Sequence, residues 1–133
     1  MKNLRKIKYI VIHSTAAFTK SNDETPFHYL IERNGSIVKL LKENKISSAV
    51  HADNSTCIHI AYIGSADKKG QLMDGRSSSQ KHAMFDLIVS LTEKYPQAEV
   101  LGQSDFPDVK KASPGFDVKK WLREYEPDLG IAA

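Results

Sequence analysis

Residues 101–122 read LGQSDFPDVKKASPGFDVKKWL. A short apolar run closes at Gly102, the polar Gln103 stands at its mouth, a loop follows, and Ser113 is held against Pro114. This is the frame of half a metal site, with a carboxamide and an alcohol where strong ligands would stand. Working outward, Ala98 to Leu101 reads as a strand. Asp117 is a natural cap for a helix running to Tyr125, with Trp121 and Leu122 facing inward.

Further upstream, KYIVIH over residues 8–13 is a short apolar run ending in turn-prone residues, which predicts a buried strand with His13 at its carboxyl end. Phe27 to Arg33 and Ser36 to Leu41 flank Asn34-Gly35, the strongest local signal for a hairpin. CIHIAYIG over 57–64 is rich in β-branched and aromatic residues and reads as a central strand, followed by a polar loop from Ser65 to Ser78. Ala83, Met84, Leu87, Ile88 and Leu91 recur at helical spacing between Ser79 and Lys94. Ser77 with Gln80 forms a capping box at the start of that helix, and Pro96 stops it. Strands and helices mixed in this order, with one antiparallel hairpin, predict an α/β fold: a single mixed β-sheet flanked by helices.

Composition bounds the function. A chain of 133 residues matches one domain, 1–133, since domains cluster at roughly 100–150 residues. The apolar fraction of 41% and charged fraction of 26% are those of a globular chain with a packed core. The net charge of +3 is dispersed along the chain, which argues against a nucleic-acid polymer as partner. No apolar stretch is long enough to span a membrane. After MKNLRKIK only YIVI precedes His13, short of the roughly 7–15 apolar residues of a signal peptide, so a cytoplasmic location is expected. The single cysteine, Cys57, lies in an apolar run and reads as a small buried hydrophobe.

Three places join a polar side chain to a strand end or loop mouth: His13, the pair His51 and Asn54, and the window from Gln103 to Ser113. Together with FHYLIERNGSIV at 27–38, IAYIG at 60–64 and RSSSQ at 76–80, they make the chain similar to the zinc-dependent N-acetylmuramoyl-L-alanine amidases. That family includes amidase-type phage lysozymes and peptidoglycan recognition proteins, and the resemblance covers nearly the whole chain in order. It implies zinc held by a histidine ending the first strand, a histidine following a glycine at the end of the last strand, and a cysteine before a proline. The matching positions here are His13, Gln103 and Ser113. The family tyrosine ahead of the hairpin histidine corresponds to Phe27, and the lysine two residues before the cysteine to Lys111.

Zinc catalysis needs about three strong protein ligands and an open position at which bound water falls to a pKa of about 7. A carboxamide and a neutral alcohol supply neither charge nor a strong lone pair. The resemblance therefore implies no metal, with His13, Gln103 and Ser113 as vestigial ligand positions. The expectation is a catalytically inactive amidase-fold binding protein. Its ligand site would comprise His13, Phe27, His51, Asn54, Gln103, Lys111 and Ser113, in a groove more open than in the phage enzymes because only thirteen residues separate His13 from Phe27. The expected partner is a small molecule, either a muropeptide or an anionic metabolite of nucleotide type sequestered by a phage or mobile element. Two alternatives stand beside it: an active amidase that recruits zinc through substitute ligands such as His13, His51 and Asp105, and a protein-interaction module that mimics an amidase. His28 and His59 read as structural histidines, His82 as a residue on the exposed side of a helix, and Arg76 as a solvated side chain.

Overall fold

A computed structural model describes residues 5–17, 26–48, 54–106 and 113–125. Among the described residues, seven strands and two α-helices follow in chain order: β1 (Tyr9–Ser14), β2 (Tyr29–Ile31), β3 (Ile37–Lys39), β4 (Cys57–Tyr62), β5 (Ser65–Ala66), β6 (Leu72–Met73), α1 (Ser78–Lys94), β7 (Glu99–Gly102) and α2 (Val118–Glu124). The main sheet has the order β3-β2-β4-β1-β7, and β5 with β6 forms a small separate ribbon. This ribbon lies within the stretch that its polar composition marks as loop, since two-residue strands leave no periodic signal.

Pairing is parallel for β1 with β4, β1 with β7 and β2 with β4, and antiparallel for β2 with β3. The sheet is mixed, as the strand pattern predicts. Asn34-Gly35 makes the hairpin turn with Gly35 at φ +89°, a conformation that favours glycine.

Alternation along the strands divides the sheet into two faces. Ile10 and Ile12 of β1, Ile58, Ile60 and Tyr62 of β4, and Tyr29 and Ile31 of β2 pack with Met84, Ile88 and Leu91 of α1 into one apolar cluster. Residues of opposite parity, Val11 and His13 on β1 with His59 and Ala61 on β4, turn to the other face. The helix is held at its start by the reciprocal bonds of Ser77 and Gln80. Gln80 also donates from Nε2 to the carbonyls of Ile31 (3.3 Å) and Ile63 (3.1 Å), tying α1 to the ends of two strands. Cys57 is fully buried. Among the described residues no helix is long and apolar enough to cross a membrane.

Candidate functional site

Parallel pairing sends β1, β4 and β7 in the same direction, so their carboxyl ends open at one edge of the sheet, where open α/β sheets hold ligands. Register sets what meets there. Ile12 pairs with Gly102, and His13 pairs with Ala61. His13 and Gln103, each one residue beyond the Ile12–Gly102 pair, are thereby brought together. Nδ1 of His13 lies 3.3 Å from Oε1 of Gln103.

Ser113 joins them through the turn it begins. Its Oγ accepts from the backbone N–H of Ser14 (3.1 Å), and its carbonyl accepts from the N–H of Ser104 (2.8 Å). Tyr62 donates its hydroxyl to the carbonyl of Pro114 at 2.6 Å, which pins the turn to β4. Burial raises the Tyr62 phenol above its ordinary value and keeps it a donor, against the opposing pull of Ser14. Gly102 is where the turn comes closest: a Cβ there would stand 2.7 Å from Pro114 Cδ. Phe27 closes the group from β2's side, its ring centroid 5.2 Å from that of His13.

His59 belongs to the same group, although its place in an apolar strand reads as structural. Its Nδ1 lies 2.8 Å from Nε2 of His13, and its Nε2 lies 3.1 Å from Oδ1 of Asn54. A polar string therefore crosses the sheet edge from Asn54 through His59 and His13 to Gln103. The signal for it was available in the alternation: His13 and His59 both point away from the α1 face. His28 braces the string from behind. Its Nδ1 accepts from the backbone N–H of His59 (3.0 Å), so its proton sits on Nε2 and is donated to the carbonyl of Lys45 (2.8 Å). Burial holds His28 below its ordinary pKa, and the nearby Arg5 guanidinium pushes the same way. This is the structural role its strand position predicts.

His13, Phe27, His59, Gln103 and Ser113 are all buried, with His13 only 3% exposed. Residues 18–25, on which the expectation of a more open or differently lined groove rests, lie outside the described residues. Asn54, at the start of a 3-10 turn (Asn54–Thr56), is partly buried. His51 and Lys111 lie outside the described residues.

One weighed alternative and one expectation meet the geometry here. Asp105, weighed as a substitute ligand beside His13, is exposed and turns back, its Oδ2 accepting from the N–H of Gly102 at 2.8 Å. Its carboxylate caps the 3-10 turn Gln103–Asp105. Arg76 is not solvated. Its guanidinium makes two bonds to Asp74 (2.8 and 3.0 Å) and lies 3.4 Å over the ring of Phe116 and 4.4 Å over that of Trp121. A flat delocalised cation stacks on aromatic faces, and the sequence neighbourhood of Arg76 gives no sign that residues forty positions on would supply them. Among the described residues no three His, Cys, Asp or Glu side chains gather as a metal site would require.

Both the sequence and the fold are similar to those of known proteins. A profile of N-acetylmuramoyl-L-alanine amidases matches residues 3–116. The chain belongs to this family. Among curated relatives, the endolysin of Klebsiella phage KP32 is 29% identical over 100 residues that make up 75% of this chain and 65% of that protein. The match thus spans about two-thirds of the relative's length. Among solved structures, the Ph2119 endolysin of a Thermus scotoductus bacteriophage has a TM-score of 0.68 at 22% identity, covering 90% of this chain and 84% of that one. PGRP-SA of Apis mellifera has a TM-score of 0.69 at 21% identity, covering 95% and 89%. These likenesses establish the amidase and peptidoglycan-recognition fold.

Proposed function

We propose that this amidase family member is a catalytically inactive binding protein, and that the residues around His13 hold a muropeptide fragment. The observation that carries the reading is the donor set at the meeting of β1, β7 and the Ser113 turn: one imidazole, one carboxamide and one alcohol. Zinc does not fit it. A structural or catalytic zinc takes imidazole, thiolate or carboxylate, and here the Gln103 amide and the Ser113 hydroxyl are neutral and engaged with protein groups. No step of hydrolysis is therefore assigned to a metal: Asp105 is turned to Gly102, and the second imidazole, His59, is engaged with His13 and Asn54.

What the same residues do well is hydrogen-bond an amide-rich ligand. The carboxamide of Gln103 is donor and acceptor at once, the Ser113 hydroxyl has a proton to donate, and the Phe27 ring supplies an apolar wall. Peptidoglycan stem peptides are ligands of this kind. Recognition of peptidoglycan has a precedent in name among the structural relatives, which include a Drosophila peptidoglycan recognition protein.

The reading is tested on the purified chain by elemental analysis, by calorimetric titration with an N-acetylmuramoyl peptide, and by incubation with purified peptidoglycan. Saturable muropeptide binding with no bound zinc and no released peptide is the expected result. Zinc near one per chain, with cleavage that a chelator abolishes, would overturn the inactive reading. Absence of muropeptide binding would overturn the ligand.

A further inference from the structure

We propose that the outer edge of β3 is a docking site for an acidic, extended segment of a partner protein, which pairs with it as an added strand of the main sheet. β2 and β4 separate this edge from β1 and His13. The inference therefore stands apart from the ligand reading.

Hydrogen-bond parity makes the edge available. In an antiparallel pair, residues that exchange backbone hydrogen bonds alternate with residues that do not. Between β2 and β3, the Glu32 N–H donates to the Ser36 carbonyl and the Leu40 N–H to the His28 carbonyl, each at 2.9 Å. Ser36, Val38 and Leu40 thus turn their backbone groups to β2. Ile37 and Lys39 stand opposite Ile31 and Tyr29 in the intervening positions, so their N–H and C=O groups point out of the sheet. Among the described residues no strand pairs with β3 on that side. A row of alternating donors and acceptors is answered by another extended backbone.

Charge decides which extended segment fits. Arg33 before β3, Lys39 on it, and Lys42 and Lys45 after it are all exposed. Among the described residues no carboxylate pairs with any of the four. Of the two acids in the same stretch, Glu43 is turned inward, its carboxylate accepting from Tyr29, Tyr95 and Lys94. Glu32 is the other. The edge is therefore strongly cationic, and acidic side chains complement it.

Two other occupants fit less well. A second copy of this chain sets the same cations against themselves, and lysine on an edge strand is a common guard against self-pairing. A lipid surface needs one apolar plane. Ile37 and Leu40, each 42% exposed, are three positions apart and turn to opposite faces of the strand. Lys39 shares the face of Ile37, its Nζ 5.9 Å over the Tyr29 ring. A segment alternating acidic and apolar residues matches this division, with acids beside Lys39 on one face and apolar side chains beside Val38 and Leu40 on the other.

The probe is a synthetic peptide of alternating glutamate and valine about six residues long, an ordinary strand length, titrated into the nitrogen-labelled full chain. Saturable binding is expected, with the amides of Ile37 and Lys39 shifting and becoming protected from exchange with solvent. Two controls keep the charge and remove the pairing: a peptide of the same composition with its glutamates in one block, and the alternating peptide N-methylated at every second residue. Each should bind about tenfold more weakly, the worth of one hydrogen bond. Lys39→Glu turns a cross-strand attraction into a repulsion and should weaken binding by about fivefold. The amide fingerprint spectrum reports whether that variant is folded, and Lys42→Glu supplies a second charge reversal if it is not. Absence of saturable binding, equal binding of either control peptide, or shifts confined to other strands would overturn the proposal. Phosphatidylglycerol vesicles that perturb these amides more than the peptide does would assign the edge to a lipid surface. A dimer seen by sedimentation that already shields them would assign it to a second copy, and either result overturns the acidic partner.

Discussion

Gln103 and His13 meet at 3.3 Å although ninety positions separate them in the chain. Parallel pairing of β1 with β7 creates the meeting, and the identity of residue 103 decides its chemistry. Replacing Gln103→His and Ser113→Cys puts an imidazole and a thiolate beside His13, a set that holds zinc tightly. The double variant is expected to retain about one zinc per chain after purification and to melt at a higher temperature with zinc than with a chelator, as a ligand specific to the native state requires. Adding Phe27→Tyr supplies a hydroxyl to the same site. A variant that folds but takes no zinc would show that the surroundings, and not two side chains, have been rebuilt.

Arg76 and Asp74 form a forked pair whose cation is 1% exposed at the side chain and whose anion is 32% exposed. Lysine in place of Arg76 keeps the charge but loses the fork and the stacking on Phe116 and Trp121. Arg76→Lys is expected to cost roughly 2–3 kcal/mol, below the range for breaking a fully buried pair because Asp74 is partly in water. Urea unfolding measures it, and a cost under about 0.5 kcal/mol, the scale of a surface substitution, would contradict the stacked geometry.

Two carboxylates should make the fold acid-sensitive. Burial alone raises Asp74, but the hydrogen bonds and charge of Arg76 outweigh it and leave the carboxyl below its ordinary value. Burial likewise raises Glu43, and bonds from Tyr29, Tyr95 and Lys94 outweigh that. A carboxyl depressed in the folded state contributes stability that is present above its ordinary value, 3.8 for Asp74 and 4.5 for Glu43, and is lost as pH falls through the folded value. Glu43→Gln should flatten the acid limb of stability against pH. At the other end, burial and then the bond to Glu43 raise the Tyr29 phenol, so its contribution is present below 10.0 and is lost as pH rises. Tyr29→Phe should flatten the alkaline limb and leave the part of the acid limb due to Asp74.

Gly102 has φ −81°, so its backbone suits any residue. Space is what excludes a side chain, because a Cβ would stand 2.7 Å from Pro114 Cδ and 3.1 Å from Val118 Cγ2. Gly102→Ala is expected to destabilise by roughly 1–3 kcal/mol. It should also shift the amide signals of the Ser113 turn, which packs on this glycine. A neutral change would mean that the turn moves away at no cost.

Much of the fold is legible because its causes are local. Alternation marks β1 and β4, the Asn34-Gly35 turn marks the β2–β3 hairpin, and helical spacing with the Ser77–Gln80 box marks α1. These features depend on residues at most four positions apart. His13, Gln103 and Ser113 were recoverable as a trio only because they sit in recognisable frames at the ends of such elements.

The sequence by itself determined the strand and helix pattern, the family, and the residue types at the three family ligand positions. Tertiary structure alone decided that His59 sits between His13 and Asn54, and that Arg76 is buried against Phe116 and Trp121 rather than solvated. The physical reason is that hydrogen bonds and stacking act between neighbours in space. Parallel strands bring together residues dozens of positions apart, and which ones meet depends on register, which no single strand encodes.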